Sequence, residues 1–186
     1  MRNHLRCGYE RVRGFTLFEL IVTIVIVAVL AAIALPSFGP QLRGNRVTNE
    51  SNDLLSAINM ARTEAVSRAA PVSVCASSDG ATCAGTATSW GQGWIVFVDY
   101  GDAGDVGTGD GDSVLRIWQA VDARDAVASG VAYLRFSATG VVTDPAGIDF
   151  PATFTLTPTD CSSDQKREIS VAAFGRAETA RTNCGT

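Results

Sequence analysis

The chain has 186 residues, a length that suits one domain of ordinary size, and 46% of them are hydrophobic, as in a globular protein. Its formal charge of -4 argues against nucleic-acid binding by bulk charge. The single histidine, His4, would be lost from a chain that is processed at its N-terminus. Without it, Ser-His-Asp catalysis, Cys-His catalysis and histidine-ligated zinc are excluded.

The charges are divided unevenly along the chain. Residues 1–14 carry a net charge of +3, whereas residues 15–186 contain 11 basic and 18 acidic groups. A basic segment ahead of an acidic body is typical of a leader that stays in the cytoplasm while the body is exported.

An apolar run follows the basic segment. Phe15–Leu35 contains one charge, Glu19, and as a helix it would measure roughly 31 Å, about one hydrocarbon core. We expect a transmembrane helix over residues 15–36; a buried soluble helix and a secretory signal peptide cut near Ala32–Ala34 are the alternatives. A carboxylate inside a membrane needs a partner. A new α-amino group, made by cutting before Phe15 on a neighbouring subunit, would provide one.

The start of this run carries a specific motif. The sequence GFTLFE of residues 14–19, followed by an apolar helix, resembles the class III signal of type IV pilins and type II secretion pseudopilins. The resemblance implies that residues 1–14 are a cytoplasmic leader, which a prepilin peptidase removes by cutting between Gly14 and Phe15. It then N-methylates Phe15. Glu19 would be fifth in the mature chain, and Pro36 would be 22nd, where the family's helix usually kinks.

Residues 37–70 predict an amphipathic helix. Apolar residues recur at spacings of three and four and form one stripe: Val47, Leu54, Leu55, Ile58, Ala61, Ala65 and Val66. Residues Pro36, Gly39, Pro40 and Gly44 weaken the junction with the apolar run, so we expect a bend, a locally melted stretch or a simple linker there.

After Pro71 the pattern changes to short β-branched and aromatic segments separated by turn residues. Six strands are predicted, namely Val72–Ala76, Gly93–Asp99, Leu115–Val121, Val131–Phe136, Phe154–Pro158 and Glu168–Phe174. We expect an antiparallel sheet packed on the amphipathic helix, an α+β fold with a head over residues 71–186. The resemblance implies the type IV pilin fold.

Further segments narrow the resemblance. Three parts of the chain resemble the GspH/FimT branch of minor pilins. They are residues 61–68 (ARTEAVSR) with 72–75 (VSVC), residues 94–99 (WIVFVD) before a Gly/Asp-rich loop, and residues 169–171 (ISV) leading into Gly175-Arg176.

Cys7 lies in the leader, which leaves four cysteines in the exported part. An even number favours two disulfides, and three pairings are possible. We favour Cys75–Cys83 and Cys161–Cys184 because each closes a local loop. A zinc site is the alternative, although these spacings differ from a Cys-x-x-Cys knuckle.

Two further segments are candidate binding sites. Residues 99–112 contain five Asp and five Gly and predict a solvated loop, with calcium binding as the alternative. The C-terminal basic residues are Lys166, Arg167, Arg176 and Arg181. Some FimT-type pilins bind DNA through a Gly-Arg-x-Arg motif. Here Gly175 and Arg176 match, but Glu178 occupies the second Arg position and would repel phosphate.

The sequence thus predicts a non-enzymatic minor type IV pilin that needs no cofactor and helps to initiate pilus assembly, near the tip. A GspH-like pseudopilin of type II secretion and a DNA-binding minor pilin for DNA uptake are the alternatives. The expected partners are other pilin subunits, the prepilin peptidase and the inner-membrane assembly platform. Before assembly the chain would cross the inner membrane once, with its head in the periplasm.

Overall fold

A computed structural model describes residues 14–34, 38–107, 111–144 and 150–185. The chain divides into two compact units, Met1–Gly39 and Pro40–Thr186, each of which is considered by itself. The leader and Pro36 lie outside the described residues, so the predicted kink at Pro36 stays a prediction.

The first unit contains helix α1, Leu17–Ala34. Its residues are almost all apolar, and neither Gly nor Pro interrupts it. Among the described residues, no helix meets both the length and the hydropathy expected of a membrane span.

Helix α2 spans Phe38–Arg68, and from Pro40 onward it belongs to the second unit, the head. Gly39, Pro40 and Gly44 lie inside its first two turns, so the locally melted stretch and the non-helical linker are absent from the described residues 38–44, whereas the bend stays a prediction. A proline is tolerated there because the first-turn N–H groups have no partner within the helix. The helix ends where Ala69 adopts a left-handed conformation, with φ of 50°, and the N–H of Ala70 donates to Ala65 O.

Nine strands form two antiparallel sheets within the described residues. Their bounds are β1 Val72–Ala76, β2 Trp94–Val98, β3 Ser113–Trp118, β4 Asp125–Ser129, β5 Tyr133–Phe136, β6 Val142–Asp144, β7 Ala152–Pro158, β8 Lys166–Val171 and β9 Ala177–Thr182. One sheet has the order β3-β2-β1-β5-β6 and the other β4-β7-β8-β9. The α+β prediction is confirmed, but strands β4, β6 and β9 were missed.

One hydrophobic core joins α2 to both sheets. Its buried members include Leu54 and Ile58 from α2, Val74 from β1, and Phe154 and Ile169 from the second sheet. The predicted apolar stripe supplies most of the helix residues. Val66 is the exception, because 53% of it is exposed. A smaller cluster on the other face of the first sheet contains Cys75, Ile95 and Phe97.

Two disulfides join Cys75 to Cys83 and Cys161 to Cys184. These are the pairs that the sequence favours, and the zinc alternative is wrong because all four sulfur atoms are bonded to one another in pairs.

Candidate functional site

Glu19 lies in the first turn of α1 and takes part in a capping box with Thr16. The backbone N–H and the hydroxyl of Thr16 donate to Glu19 Oε2, and the N–H of Glu19 donates to Thr16 Oγ1. Each of the three donor–acceptor distances is 3.2 Å. The negative charge also suits the N-terminal end of the helix dipole. Sequence reasoning missed Thr16, although the spacing T-x-x-E is the signature of this cap. Within the described residues, Glu19 Oε1 has no hydrogen-bond partner.

The rest of α1 presents apolar side chains on every side. Four successive residues, Ile24 to Val27, are 59%, 56%, 53% and 63% exposed. Successive helical residues point about 100° apart, so these four cover the whole circumference. A continuous apolar surface of this kind requires apolar surroundings, which a soluble monomer does not provide.

The predicted cleavage site precedes this helix. Gly14 and Phe15 have no regular secondary structure, and Phe15 is exposed. The peptide bond between them is therefore free of helical hydrogen bonds, as a protease substrate requires.

The four basic residues that were candidates for DNA binding, Lys166, Arg167, Arg176 and Arg181, do not share one face of the second sheet. Arg167 is only 7% exposed, and its guanidinium donates to Asp164 O, Lys166 O and Thr48 Oγ1. Three of its hydrogen bonds are therefore made inside the head, which does not favour Arg167 as a DNA contact. Burial and then the positive charge of Arg181 lower the pKa of Arg167.

Arg176 and Arg181 lie on opposite faces of the second sheet. Thr179 Oγ1 lies 3.2 Å from Ser51 Oγ on α2, so Thr179 and Arg181, two residues apart on β9, face α2. Glu178 faces the other way, and its Oε1 lies 2.6 Å from Arg176 Nη2. Glu178 therefore neutralises Arg176, and the two arginines do not form one phosphate-binding surface.

The carboxylates of the acidic loop organise its own backbone. Asp99 is buried, accepts hydrogen bonds from the Ser73 hydroxyl and the Gly104 N–H, and lies 3.6 Å from Arg135 Nε. Burial raises the pKa of Asp99. Asp112 accepts hydrogen bonds from loop N–H groups. In the described parts of the chain no three acidic, His or Cys side chains are grouped to hold a metal.

A charged cluster that sequence reasoning missed joins α2 to the segment before β4. Asp125, whose side chain is fully buried, receives two hydrogen bonds from Arg46, at 2.5 and 2.7 Å. Glu50 Oε1 accepts a hydrogen bond from the N–H of Asp122 at 2.9 Å, while the buried Glu50 Oε2 has no hydrogen-bond partner among the described residues. Burial raises the pKa of Glu50 to about 7. No local motif marks this cluster, because the contacts between Arg46 or Glu50 and the two aspartates join residues more than 70 positions apart.

Comparisons with known proteins agree with this architecture. The sequence model of the family described as type II transport protein GspH matches residues 50–175, and that of the prokaryotic N-terminal methylation motif matches residues 11–35. Two crystal structures of the type IV minor pilin FimU from Pseudomonas aeruginosa resemble the chain. The first has 21% sequence identity and a TM-score of 0.52, and the second has 23% sequence identity and a TM-score of 0.47. Each match covers 74% of this chain and 99% of the FimU chain. No curated protein matches.

The long helix packed on antiparallel sheets is the type IV pilin fold, and the methylation motif marks a pilin-like subunit. Because the GspH model matches more than half of the chain, this protein belongs to the GspH family of pilins and pseudopilins. Proteins of this family are structural subunits rather than enzymes. Membership implies processing by a prepilin peptidase, anchoring in a membrane and association with other pilins.

Proposed function

We propose that the chain is a minor type IV pilin, a membrane-anchored subunit that helps to initiate pilus assembly near the tip of the filament. The observation that carries this proposal is α1, which has apolar side chains around its whole circumference and one carboxylate with an unpaired oxygen. Lipid chains would surround such a helix before assembly, and the helices of other subunits would surround it afterwards.

The mechanism assigns a separate task to each part of the N-terminal region. The basic leader keeps residues 1–14 in the cytoplasm, and cutting between Gly14 and Phe15 creates a new amino group. That amino group on one subunit pairs with Glu19 Oε1 of its neighbour, while Thr16 keeps Oε2 oriented. Since an unpaired carboxylate in an apolar core is costly, this pairing also selects the register between subunits.

The first test compares Glu19→Ala with the matched control Glu64→Ala, which removes a carboxylate from the surface of the head. We expect both variants to lose the leader normally, because the cleavage site is intact. Glu19→Ala should be recovered in sheared filaments at least about tenfold less than wild type, since an ion pair in an apolar environment is lost. Immunoblots of cells and of sheared filaments measure both steps. Normal incorporation of Glu19→Ala would contradict the proposed mechanism.

A GspH-like pseudopilin of type II secretion is the second candidate, and the description of the matching family supports it. A strain that lacks the chain distinguishes the two systems. A minor pilin predicts few or no surface pili with normal protein secretion, whereas a pseudopilin predicts the reverse. We do not propose DNA binding as a function, because Arg176 is paired with Glu178 and Arg167 is buried.

A further inference from the structure

The exposed side of α2 carries a regular repeat of uncharged side chains. Its members follow one another at alternating spacings of three and four residues, and every one of them is exposed. The repeat extends over roughly 36 Å of a helix that rises 1.5 Å per residue. We call this row the polar seam, and it consists of Leu42, Asn45, Asn49, Asn52, Ser56, Asn59, Thr63 and Val66.

The polar seam points directly away from the core of the head. Leu54, which is fully buried, lies two residues from Asn52 and two from Ser56. Successive helical residues point about 100° apart, so each of these seam residues lies about 160° around the helix from Leu54. The two sheets pack on the buried side of α2. Its opposite side is therefore open to a second helix.

A solvated helix surface has no need for residues of this kind. Asn, Ser and Thr are weaker helix formers than Ala, Glu, Lys or Gln, and they occupy all the seam positions between the two ends. Both ends are apolar: Leu42 is 65% exposed and Val66 is 53% exposed. Among the described side chains of α2, these are the large apolar ones that are left exposed. A contact along the whole seam would cover both of them.

The spacing of the polar seam selects a helix as its partner. Alternating spacings of three and four are those of positions a and d in a coiled coil, where the side chains of one helix fit between those of the other. An Asn side chain both donates and accepts hydrogen bonds, so a partner with amide and hydroxyl groups satisfies the seam, whereas an apolar helix does not. Helix α1 is apolar, but α2 itself provides such a row.

We propose that the polar seam packs against the same seam of a second copy of this chain, with the two α2 helices parallel and in register. Each seam residue then meets its own counterpart, so the amide of Asn49 donates to the amide of the other Asn49. Asn at an a position fixes the register of parallel two-stranded coiled coils, at a cost in stability. We therefore expect a selective and reversible dimer.

The charges beside the polar seam favour the parallel direction. In an antiparallel pair with aligned ends, the two exposed Asp53 side chains would lie close together at the midpoint of the seam and repel each other. In the parallel pair, Asp53 lies beside Thr48 of the other copy, and Arg62 lies beside Ser67 of the other copy. Like charges do not meet in that arrangement.

The inference goes beyond the proposed function and does not rest on it. The polar seam lies entirely within the unit Pro40–Thr186. Neither membrane anchoring nor the choice between a pilus and a secretion system enters the argument, so the two proposals can fail separately.

Cysteine cross-linking of the full chain in detergent tests the pairing. The cysteines of the head are bonded in two disulfides, and Cys7→Ser removes the remaining thiol from every variant. Single cysteines are then placed on the seam, as Asn45→Cys or Asn59→Cys. The matched controls, Asp53→Cys and Ser67→Cys, are exposed positions of α2 beside the seam. The measured quantity is the rate at which mild oxidation forms a covalent dimer on non-reducing gels.

Both seam variants should form the covalent dimer at least about tenfold faster than both controls, because a disulfide requires Cβ atoms about 4 Å apart. Asn45 and Asn59 lie away from the midpoint of the seam, so a cysteine at either position meets its counterpart only in parallel helices. A mixture of Asn45→Cys chains with size-tagged Thr63→Cys chains reports the antiparallel pair, and we expect no mixed dimer above the level of the controls.

A charge on the polar seam provides an independent test. Asn49→Glu, added to the Asn59→Cys chain, places two carboxylates opposite each other and should slow cross-linking about tenfold. Ser67→Glu adds the same charge beside the seam and should change the rate by less than about twofold. Mixing Asn49→Glu chains with Asn49→Lys chains should restore fast cross-linking, which would also show that both variants are folded.

Several outcomes would overturn the pairing. Equal rates at seam and control positions would mean that chains meet by crowding in detergent micelles. A mixed dimer of Asn45→Cys with Thr63→Cys as the main product would mean that the helices are antiparallel. A cross-link of the purified Asn59→Cys chain that disappears in cells producing other pilin subunits would mean that another helix occupies the seam there. None of these results would alter the expected behaviour of Glu19→Ala.

Discussion

Helix α1 and the head use hydrophobic side chains in opposite ways. All residues of β1 and β2, the central strands of the first sheet, are buried. In α1, by contrast, four successive apolar residues are each more than half exposed. The head therefore satisfies its hydrophobic surface internally, whereas α1 depends on lipid or on other subunits. Stability and assembly therefore reside in different parts of this chain.

The largest expected effect is on the core of the head. Phe154 is fully buried, and its ring packs edge-on against Trp90 with centroids 4.8 Å apart. We expect Phe154→Ala to lower the free energy of unfolding by about 3–5 kcal/mol, whereas Leu30→Ala in α1 should change it by less than about 0.5 kcal/mol. Urea unfolding of the full chain in detergent, followed by Trp fluorescence, reports on the head because all three Trp lie there. Equal effects of the two variants would contradict the division.

The next effect concerns the turn between β8 and β9. Gly175 has φ of 75°, and a Cβ atom there would lie 2.3 Å from Gly140 O. We expect Gly175→Ala to destabilise the head by about 2 kcal/mol, because backbone strain and a steric clash add. Gly85→Ala is the matched control, since Gly85 has φ of 67° but open space around it, and it should cost about 1 kcal/mol or less. Thermal unfolding of both variants measures the difference. Equal losses would show that the clash is relieved by movement of the turn.

The smallest effect is a pH dependence at the charged cluster. Burial raises the pKa of Glu50 from about 4.5 to about 7, so between these values the folded state binds more protons than the unfolded state. The free energy of unfolding should therefore fall as the pH rises through this range. Glu50→Gln keeps the acceptor for the Asp122 N–H and should stabilise the head at pH 8 by about 1 kcal/mol, after allowance for solvent screening.

The same variant should change stability much less at pH 4, since Glu50 is mostly protonated in both states there. Denaturant unfolding at pH 4, 6 and 8 gives the two pH profiles. Parallel profiles for wild type and Glu50→Gln would show that Glu50 is not the titrating group.

Much of the N-terminal region could be predicted from its sequence because the signals are local. The GFTLFE motif, the apolar run and the T-x-x-E cap each fall within a few residues of one another. The apolar stripe of α2 could also be predicted from the sequence, since helical periodicity is local. Val66 departs from it, because 53% of the residue stays exposed.

The head was less predictable because strand pairing acts over long distances. The segment AETART of residues 177–182 has no β-branched or aromatic run, so no strand was predicted there. It becomes β9 because β8 offers a free edge in register. Likewise, residue type alone suggested that Arg167 could bind phosphate. In the structure the alternation of β8 places its side chain on the inner face, where it donates to Thr48 of α2.

Residue types at short spacings were enough to predict the class of protein, the processing motif, the α+β architecture and the apolar helix. Which charged groups pair with one another depended on tertiary contacts. The tertiary structure paired Arg176 with Glu178 and buried Arg167, and among the described residues it left Lys166 and Arg181 without a hydrogen bond or ion pair. The physical reason is that the burial and partners of a charged side chain depend on which strands and helices lie beside it. Those neighbours come from distant parts of the chain.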